Sequence, residues 1–436
     1  MESEPELPSA AQSAVARARA VPNPDSARLK VPRTSRRFVL LLAALGAIGP
    51  FSVDTYFPSF ASIAAHFSVT PLQVQSTLSF YLAALAGMNL FHGAVSDAFG
   101  RKPTLLVSLA VYSATAFACL LAPNFACLLT LRVVQGLAAG AGMIVGRAVI
   151  RDCRQGAEAQ RLMAQVTMAG AVAPAIAPVL GGWLHNWFGW RGPFCFLGLS
   201  GLALMLACWF WLGESLPRAS RQSFRPGKLL RSYCETGRNA SFLALCFSLS
   251  IGAGGFLLYV ATAPDVVLNI LKLSETQFGW FFVPMVSGMM LGSIITGWMA
   301  GRVDPGRTVR CGYRLMALGA AGNLAMNLCL TPRIPWAVLP IAIYTLGFSL
   351  TAPVLTLLAL DLYPHKRGLA SSLQGFAQII VFAFLASAGV PLVYASGIKH
   401  AAGMGLLLAG SWGLWRFYRR RPAAGRERGH SSPPES

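Results

Sequence analysis

The chain has 436 residues, of which 55% are hydrophobic and only 12% charged, a balance too apolar for an ordinary soluble domain. Its formal net charge of +20 raises the possibility of nucleic-acid binding, so the placement of the basic residues has to be read before the total. A helix crosses the hydrocarbon core of a bilayer with about 20 mostly apolar residues. Twelve such runs are predicted in chain order: Phe38–Phe57, Leu72–Phe91, Thr104–Leu121, Phe125–Gly146, Leu162–Leu184, Gly192–Leu212, Ser241–Ala263, Phe278–Ala300, Cys311–Leu330, Trp336–Leu360, Leu369–Tyr394 and His400–Phe417. They are continuous and rich in Leu, Ala and Gly, without the short alternating segments of a transmembrane β-barrel.

The expected fold is therefore an all-α membrane protein of twelve helices. The connections after runs 2, 4, 6, 8 and 10, with their bordering turns, carry eighteen lysines and arginines, while the other five hold only Arg191, Lys272, Arg333 and Lys399. This asymmetry follows the positive-inside rule and predicts both termini in the cytoplasm. The basic excess is topological, and no nucleic-acid role is expected. Residues 1–37 read as a disordered basic arm that includes acids, unlike an organellar transit peptide, and no cleavable signal is evident. The longest polar interruption, 213–240, divides the runs six and six. The expected units are a half over 38–212, a central cytoplasmic loop over 213–240, a second half over 241–417 and a tail over 418–436. Nine scattered cysteines, without a C-x-x-C spacing, predict neither a disulfide framework nor a metal site.

In run 1 the stretch GPFSVDTYFP brings Asp54 about 25 Å up a helix that crosses a core about 30 Å thick. Run 4 returns, and Arg132 lies about 10 Å below the outer surface on the same rise. Away from the helix ends these are the two fixed-charge candidates in the twelve runs. A charge in mid-membrane costs about 2.5–3.5 kcal/mol on insertion scales, so each is expected to face a partner or water, and the two are natural partners. Pro50 leaves the Gly46 carbonyl without its helical donor, which suits a bent, cavity-lining helix. The alternatives are an Asp54 snorkelling at the helix end and an Arg132 bound to a helix-end carbonyl. Tyr56, Gln135, Phe256, Tyr259, Gln374 and Gln378 are candidate lining residues of a substrate cavity, or ordinary interhelical contacts. His92, closing run 2, reads as interfacial, and Asn323 as a helix-packing residue.

Several motifs occur in order. GAVSDAFGRK offers Gly93, Asp97, Gly100, Arg101 and Lys102 between runs 2 and 3, with a weak echo, GWMAGRVDPGR, after run 8. RVVQG in run 4 holds Arg132, Gln135 and Gly136, and run 5 spaces Gly170, Pro174, Pro178 and Gly182 by fours, with Gly181 beside the last. With DTYFP, YVATAP and GLASSLQGFAQ, these motifs resemble those of the major facilitator superfamily, and within it the Bcr/CflA-type drug:proton antiporters, from about Phe38 to Trp415. The resemblance implies two six-helix halves, a bacterial inner membrane, and a substrate site between the halves. It implies that the residues of the 2–3 connection latch the halves on the cytoplasmic side, and that the run 5 residues form an antiporter signature. Ala98 departs from the pattern, standing where the family usually has arginine.

The expected function is proton-coupled efflux of small amphipathic drugs, such as chloramphenicol- or bicyclomycin-like compounds, by alternating access. Asp54 would be the proton site and Arg132 its modulator, since burial favours the neutral acid and a nearby guanidinium the carboxylate. No cofactor is expected, the proton gradient being the driver. Protons, a small-molecule substrate and the lipid bilayer are the expected partners of a monomer. Uptake of a metabolite by symport, or a non-transporting membrane sensor, is the alternative. No cluster of catalytic side chains suggests an enzyme.

Overall fold

In the computed structural model, residues 36–154, 156–364 and 366–421 are described, and the expected N-terminal arm before 36 and the tail beyond 421 lie outside them. Helices cover all twelve predicted runs. They are α1 (Arg36–Phe67), α2 (Pro71–Phe99), α3 (Arg101–Leu120), α4 (Phe125–Cys153), α5 (Arg161–Phe188), α6 (Arg191–Trp211), α7 (Ala240–Ala261), α8 (Gly279–Met299), α9 (Pro305–Cys329), α10 (Leu339–Asp361), α11 (Arg367–Val393) and α12 (Gly397–Arg420). Among the described residues there is no strand. Ten of the twelve are long and apolar enough to cross a membrane. The other two, α9 and α12, have 25 and 24 residues but carry Arg307, Arg310 and Arg314 in the first three turns of α9, and Arg416, Arg419 and Arg420 towards the end of α12.

Local chemistry sets the helix boundaries. Thr70 accepts from the Gln73 amide while the Gln73 side chain accepts from the Thr70 amide, a capping box that starts α2 at Pro71. Asn124, Asn239, Asp304 and Ser396 cap α4, α7, α9 and α12 in the same way, each accepting a backbone N–H that has no intrahelical partner.

The helix of run 1 is longer than predicted and broken. Regular α geometry stops at Asp54, a 3-10 turn occupies Phe57–Ser59, and the helix resumes over Phe60–Phe67. Pro58 explains the break, because its ring nitrogen cannot donate to the Asp54 carbonyl and disfavours α geometry at Phe57. Asp54 thus sits on the last turn before a discontinuity rather than inside a regular helix.

The helices pack in two sets. In the first, α1 lies on α5, α2 on α4, and α3 on both α4 and α6; in the second, α10 lies on α8 and α9, and α7 on α10, α11 and α12. The sets meet where α2 runs along α11 and α5 along α8. Connections after odd-numbered helices gather at one end of the bundle, where Phe67 packs on Phe125 and Trp190, and Arg191 Nε donates to the Leu120 carbonyl at 3.0 Å. Connections after even-numbered helices gather at the other, where Arg101 meets Asp152 and the Gln222 amide donates to the Asp97 carbonyl. Large apolar side chains such as Phe80, Val107, Phe210, Trp298 and Leu406 point outward, as a wall facing hydrocarbon requires.

Two glycines of α5 allow close approach at the odd-connection end. A methyl group on Gly181 would run into the Thr55 carbonyl of α1, and one on Gly182 into the backbone of Glu275 in the 7–8 connection. The small-residue stripe of α5 therefore presses on the α1 break and, across the boundary between the sets, on the loop before α8.

Candidate functional site

The centre of the first set is built around a guanidinium. Arg132, on α4, is wholly buried at 0% exposure. Its Nη2 donates to the Ser52 carbonyl at 3.0 Å and its Nη1 to Gln135 Oε1 at 2.5 Å. Gln135 follows Arg132 by three residues on the same helical face, which is why the side chains meet. The guanidinium carbon lies 4.4 Å from the Tyr56 ring centre and 4.3 Å from that of Tyr81, a double cation–π arrangement that replaces part of the lost hydration. Tyr56 is held by a 3.0 Å hydrogen bond between its hydroxyl and that of Thr77. Ser52 donates to the Ile48 carbonyl at 2.7 Å and is also hydrogen-bonded to Tyr112.

Asp54, two residues beyond Ser52, is 4% exposed, and among the described residues its carboxylate makes no hydrogen bond or ion pair. The expected Asp54–Arg132 pair is not formed. The reason is competition, since the guanidinium is already occupied by a carbonyl, an amide oxygen and two π faces. The alternative reading of Arg132, bound to a carbonyl near the end of helix 1, is the one the geometry contains. Around this centre Thr55 Oγ1, Tyr81 Oη, Arg132 Nε and Gln135 Nε2 are buried without a protein partner. Buried polar groups are rarely left unsatisfied, so this concentration next to an unpaired carboxylate suits water or the polar atoms of a guest.

The remaining lining candidates are dispersed. Phe256 packs on Phe348. Tyr259 lies on the His400 ring and accepts at 2.6 Å from Asn323, which agrees with the packing role expected for Asn323. Gln374 donates to Thr356 at 2.9 Å, and Gln378 is half-buried. All four belong to the second set, separate from the Arg132 cluster. His92 is buried near the end of α2, with Nδ1 2.8 Å from the Met88 carbonyl, and α2 continues for seven residues past it.

The 2–3 connection is tightly bonded, but not across the two sets. Arg101 pairs with Asp97, donates to Asp152 Oδ2 at 2.9 Å and to Ser96 at 2.7 Å, and its amide donates to Glu214 at 3.0 Å. Lys102 Nζ reaches the Trp209 carbonyl at 2.7 Å. These partners lie in the first set or the segment that follows it. Gly100 adopts a φ of +103°, and a side chain there would strike the Glu214 carboxylate and the Arg221 guanidinium. Arg221 thus brings a guanidinium beside the turn where Ala98 supplies none. The contact with the second set is a crevice in which Gly93 and Asp97 face Gly368, Leu369 and Ser372. The central helix Pro226–Gly237 spans it, with Tyr233 donating to the Leu90 carbonyl at 2.9 Å and Thr236 accepting from Tyr363 at 3.2 Å.

On α5, Pro178 and Gly181 are buried, and Gly170 and Pro174 partly so. One turn on, His185 contacts Ser59 at 3.0 Å and Ser62 at 3.2 Å, and lies 3.0 Å from the Glu275 carboxylate across the set boundary. Sequence reading missed this constellation and also Asp265, which is 3% exposed in a π-helical turn after α7. The signal available for Asp265 was its place directly after Ala263-Pro264, just beyond the assumed end of run 7.

A model of the Major Facilitator Superfamily matches residues 39–387. The chain belongs to the major facilitator superfamily. Relatives include a bicyclomycin resistance protein homolog of Haemophilus influenzae, 29% identical over 80% of this chain and 88% of the relative. Others are an uncharacterized MFS-type transporter, YdgK, of Bacillus subtilis (30%, over 78% and 85%) and multidrug resistance protein MdtL of Escherichia coli (28%, over 79% and 85%). These agree with the Bcr/CflA-type subgroup that the motifs resemble. Among solved structures, an inward-facing bacterial homolog of the lysosomal transporter Spinster superposes with a TM-score of 0.68 at 14% identity, covering 93% of this chain and 100% of that one. The xylose transporter XylE of E. coli, in a partially occluded inward-open conformation, gives 0.64 at 11%, over 88% and 97%. At those identities the likeness establishes the fold. The chain is a multi-pass membrane transporter rather than an enzyme.

Replacing Arg132 with Met removes a cation from an apolar site but orphans the Ser52 carbonyl and Gln135. Each buried group left unpaired costs about 1–3 kcal/mol. Arg132→Met is expected to lower the thermal unfolding midpoint of the purified protein clearly below that of Gln135→Leu, and equal midpoints would remove the keystone role assigned to the guanidinium.

Proposed function

We propose that this transporter exports small amphipathic drugs in exchange for protons, with Asp54 as the proton-carrying group. The observation that carries the reading is a buried carboxylate without an ion-pair partner among the described residues, at the break of a membrane-crossing helix. A buried acid that no cation compensates is held in balance between a proton and a charged or polar guest. The names of the relatives, bicyclomycin and multidrug resistance proteins, support drugs as the cargo.

Arg132 acts as the positioning group. It fixes the Ser52 carbonyl and the Tyr56 ring on either side of Asp54, so the carboxylate stands at a stiff edge of the broken helix. The unsatisfied groups of Thr55, Tyr81 and Gln135 supply a polar wall for a guest's hydroxyl or carbonyl, while Tyr56 and Tyr81 offer apolar faces. In this scheme protonation of Asp54 releases the cargo and deprotonation readmits it, and the chain needs no cofactor beyond the proton gradient. Symport of a metabolite would use the same group, but no observation specific to this chain favours it.

Alternating access in this reading is a rocking of two six-helix halves, 38–212 and 241–417, joined by the loop 213–240. The two packing sets and their two seams support that division. Asp97, Arg101 and Glu214 stiffen the cytoplasmic rim of the first half, and the Tyr233 helix straps it to the second. The basic even connections support twelve spans with cytoplasmic termini in a bacterial inner membrane.

Reconstitution tests the coupling. In proteoliposomes with an imposed pH gradient, chloramphenicol, bicyclomycin or a lipophilic cation is expected to dissipate the gradient with the wild type, and the response should fall to background in Asp54→Asn at equal protein content. Wild-type rates in that variant would sink the proposal. For the topology, Cys234 is exposed on the central helix, so a membrane-impermeant maleimide should modify it in inside-out vesicles but not in intact cells. The opposite pattern would invert the assigned orientation.

A further inference from the structure

A second buried carboxylate lies away from the Arg132 cluster, at the seam between the packing sets. Asp265, in the π-helical turn after α7, is 3% exposed. Its Oδ1 accepts from Asn269 at 2.9 Å and its Oδ2 from the Ala395 amide at 2.8 Å. Both donors are neutral, and among the described residues no cation lies within 4.0 Å of it. His400 approaches the same region, but its Nε2 is engaged with Thr262 at 2.9 Å and its Nδ1 with the Ser396 carbonyl at 2.8 Å.

Asp265 borders a cavity of about 150 Å³ that contains residues of both sets. Phe60, Pro71 and Gln75 come from α1 and α2, and Leu268, Val390 and Tyr394 from the opposite side. Gln75 is 5% exposed, yet its Nε2 has no partner. A cavity of this size accommodates one six-membered ring, as an engineered apolar cavity of about the same volume accommodates benzene. Its polar lining includes a carboxylate without a cation and a buried amide without an acceptor, contributed by the two sets, with aromatic and aliphatic surface beside them.

We propose that this seam cavity binds a small protonated amine that also carries an acceptor oxygen. The ammonium pairs with Asp265, the oxygen accepts from Gln75 Nε2, and the carbon body lies against Phe60, Leu268 and Val390. The ammonium makes charge-assisted hydrogen bonds with the free lone pairs of the carboxylate, and the oxygen relieves the orphaned amide. Because the walls belong to both packing sets, an occupant also bridges them. The site is distinct from the Asp54 region and does not depend on its carrying protons.

The test is equilibrium binding by isothermal titration calorimetry with the purified full-length protein in detergent at neutral pH, which involves no transport. The probe is 2-amino-1-phenylethanol, and the control is 1-phenylethane-1,2-diol, in which a hydroxyl replaces the ammonium. The wild type should bind the amine at least about tenfold more tightly than the diol, the scale of one charge-assisted contact. Asp265→Asn should abolish that preference, and Gln75→Leu should weaken the amine severalfold while preserving it. Absence of amine binding, equal binding of amine and diol, or a preference that survives Asp265→Asn would overturn the proposal. Should Asp265→Asn fail to fold, the wild-type comparison and Gln75→Leu decide the matter.

Discussion

Everything around the candidate transport site depends on keeping one guanidinium out of water. Removing Arg132 from solvent carries a large desolvation cost that has to be offset by replacement partners. The structure supplies the Ser52 carbonyl, the Gln135 amide and two tyrosine rings. Each replacement fixes something else. The carbonyl ties α4 to the end of α1, the rings order α1 and α2, and the amide keeps Gln135 facing inward. With both Nη groups so engaged, the guanidinium makes no ion pair with Asp54, and the carboxylate is left buried and unpaired. An unpaired acid in this setting results from how the cation is satisfied.

The broken helix and the glycines of α5 extend the same constraint outward. Pro58 ends the regular turn just after Asp54, and Gly181 lets α5 come against the Thr55 backbone at that break. One residue on, Gly182 meets the Glu275 backbone, and His185 joins Ser59, Ser62 and Glu275. Through these contacts α5 links the 7–8 connection to the residues flanking Asp54. At the opposite end, the Asp97–Arg101–Asp152 network ties together the rim of the first set.

Much of the fold was legible because membrane solvation leaves few choices. Long apolar runs must become helices, and each of the twelve runs is helical. Boundaries were misjudged where polar side chains were carried inside by packing, as in α2, which continues through His92, and in α1, which resumes after Pro58. Asp54 and Arg132 stood out because charge is rare in such runs, yet their pairing was inferred from depth alone. Sequence cannot say which acceptor reaches a guanidinium first, and here a carbonyl, an amide and two rings do. Phe256, Tyr259 and Gln374 were candidates on polarity and aromatic character, properties that serve a cavity and contacts between helices alike. The partners of the 2–3 connection could not be read from the letters, and in this conformation Arg101 meets Asp97, Asp152 and Glu214.

The central claim is that Asp54 alone exchanges a proton for cargo, and the most direct measurement is proton release on ligand binding by the purified protein in weakly buffered solution, followed with a pH-indicator dye. Addition of a compound that the wild type transports should release protons from the wild type and none from Asp54→Asn. Release of equal size from the variant would contradict the account, because the proton would then come from another group.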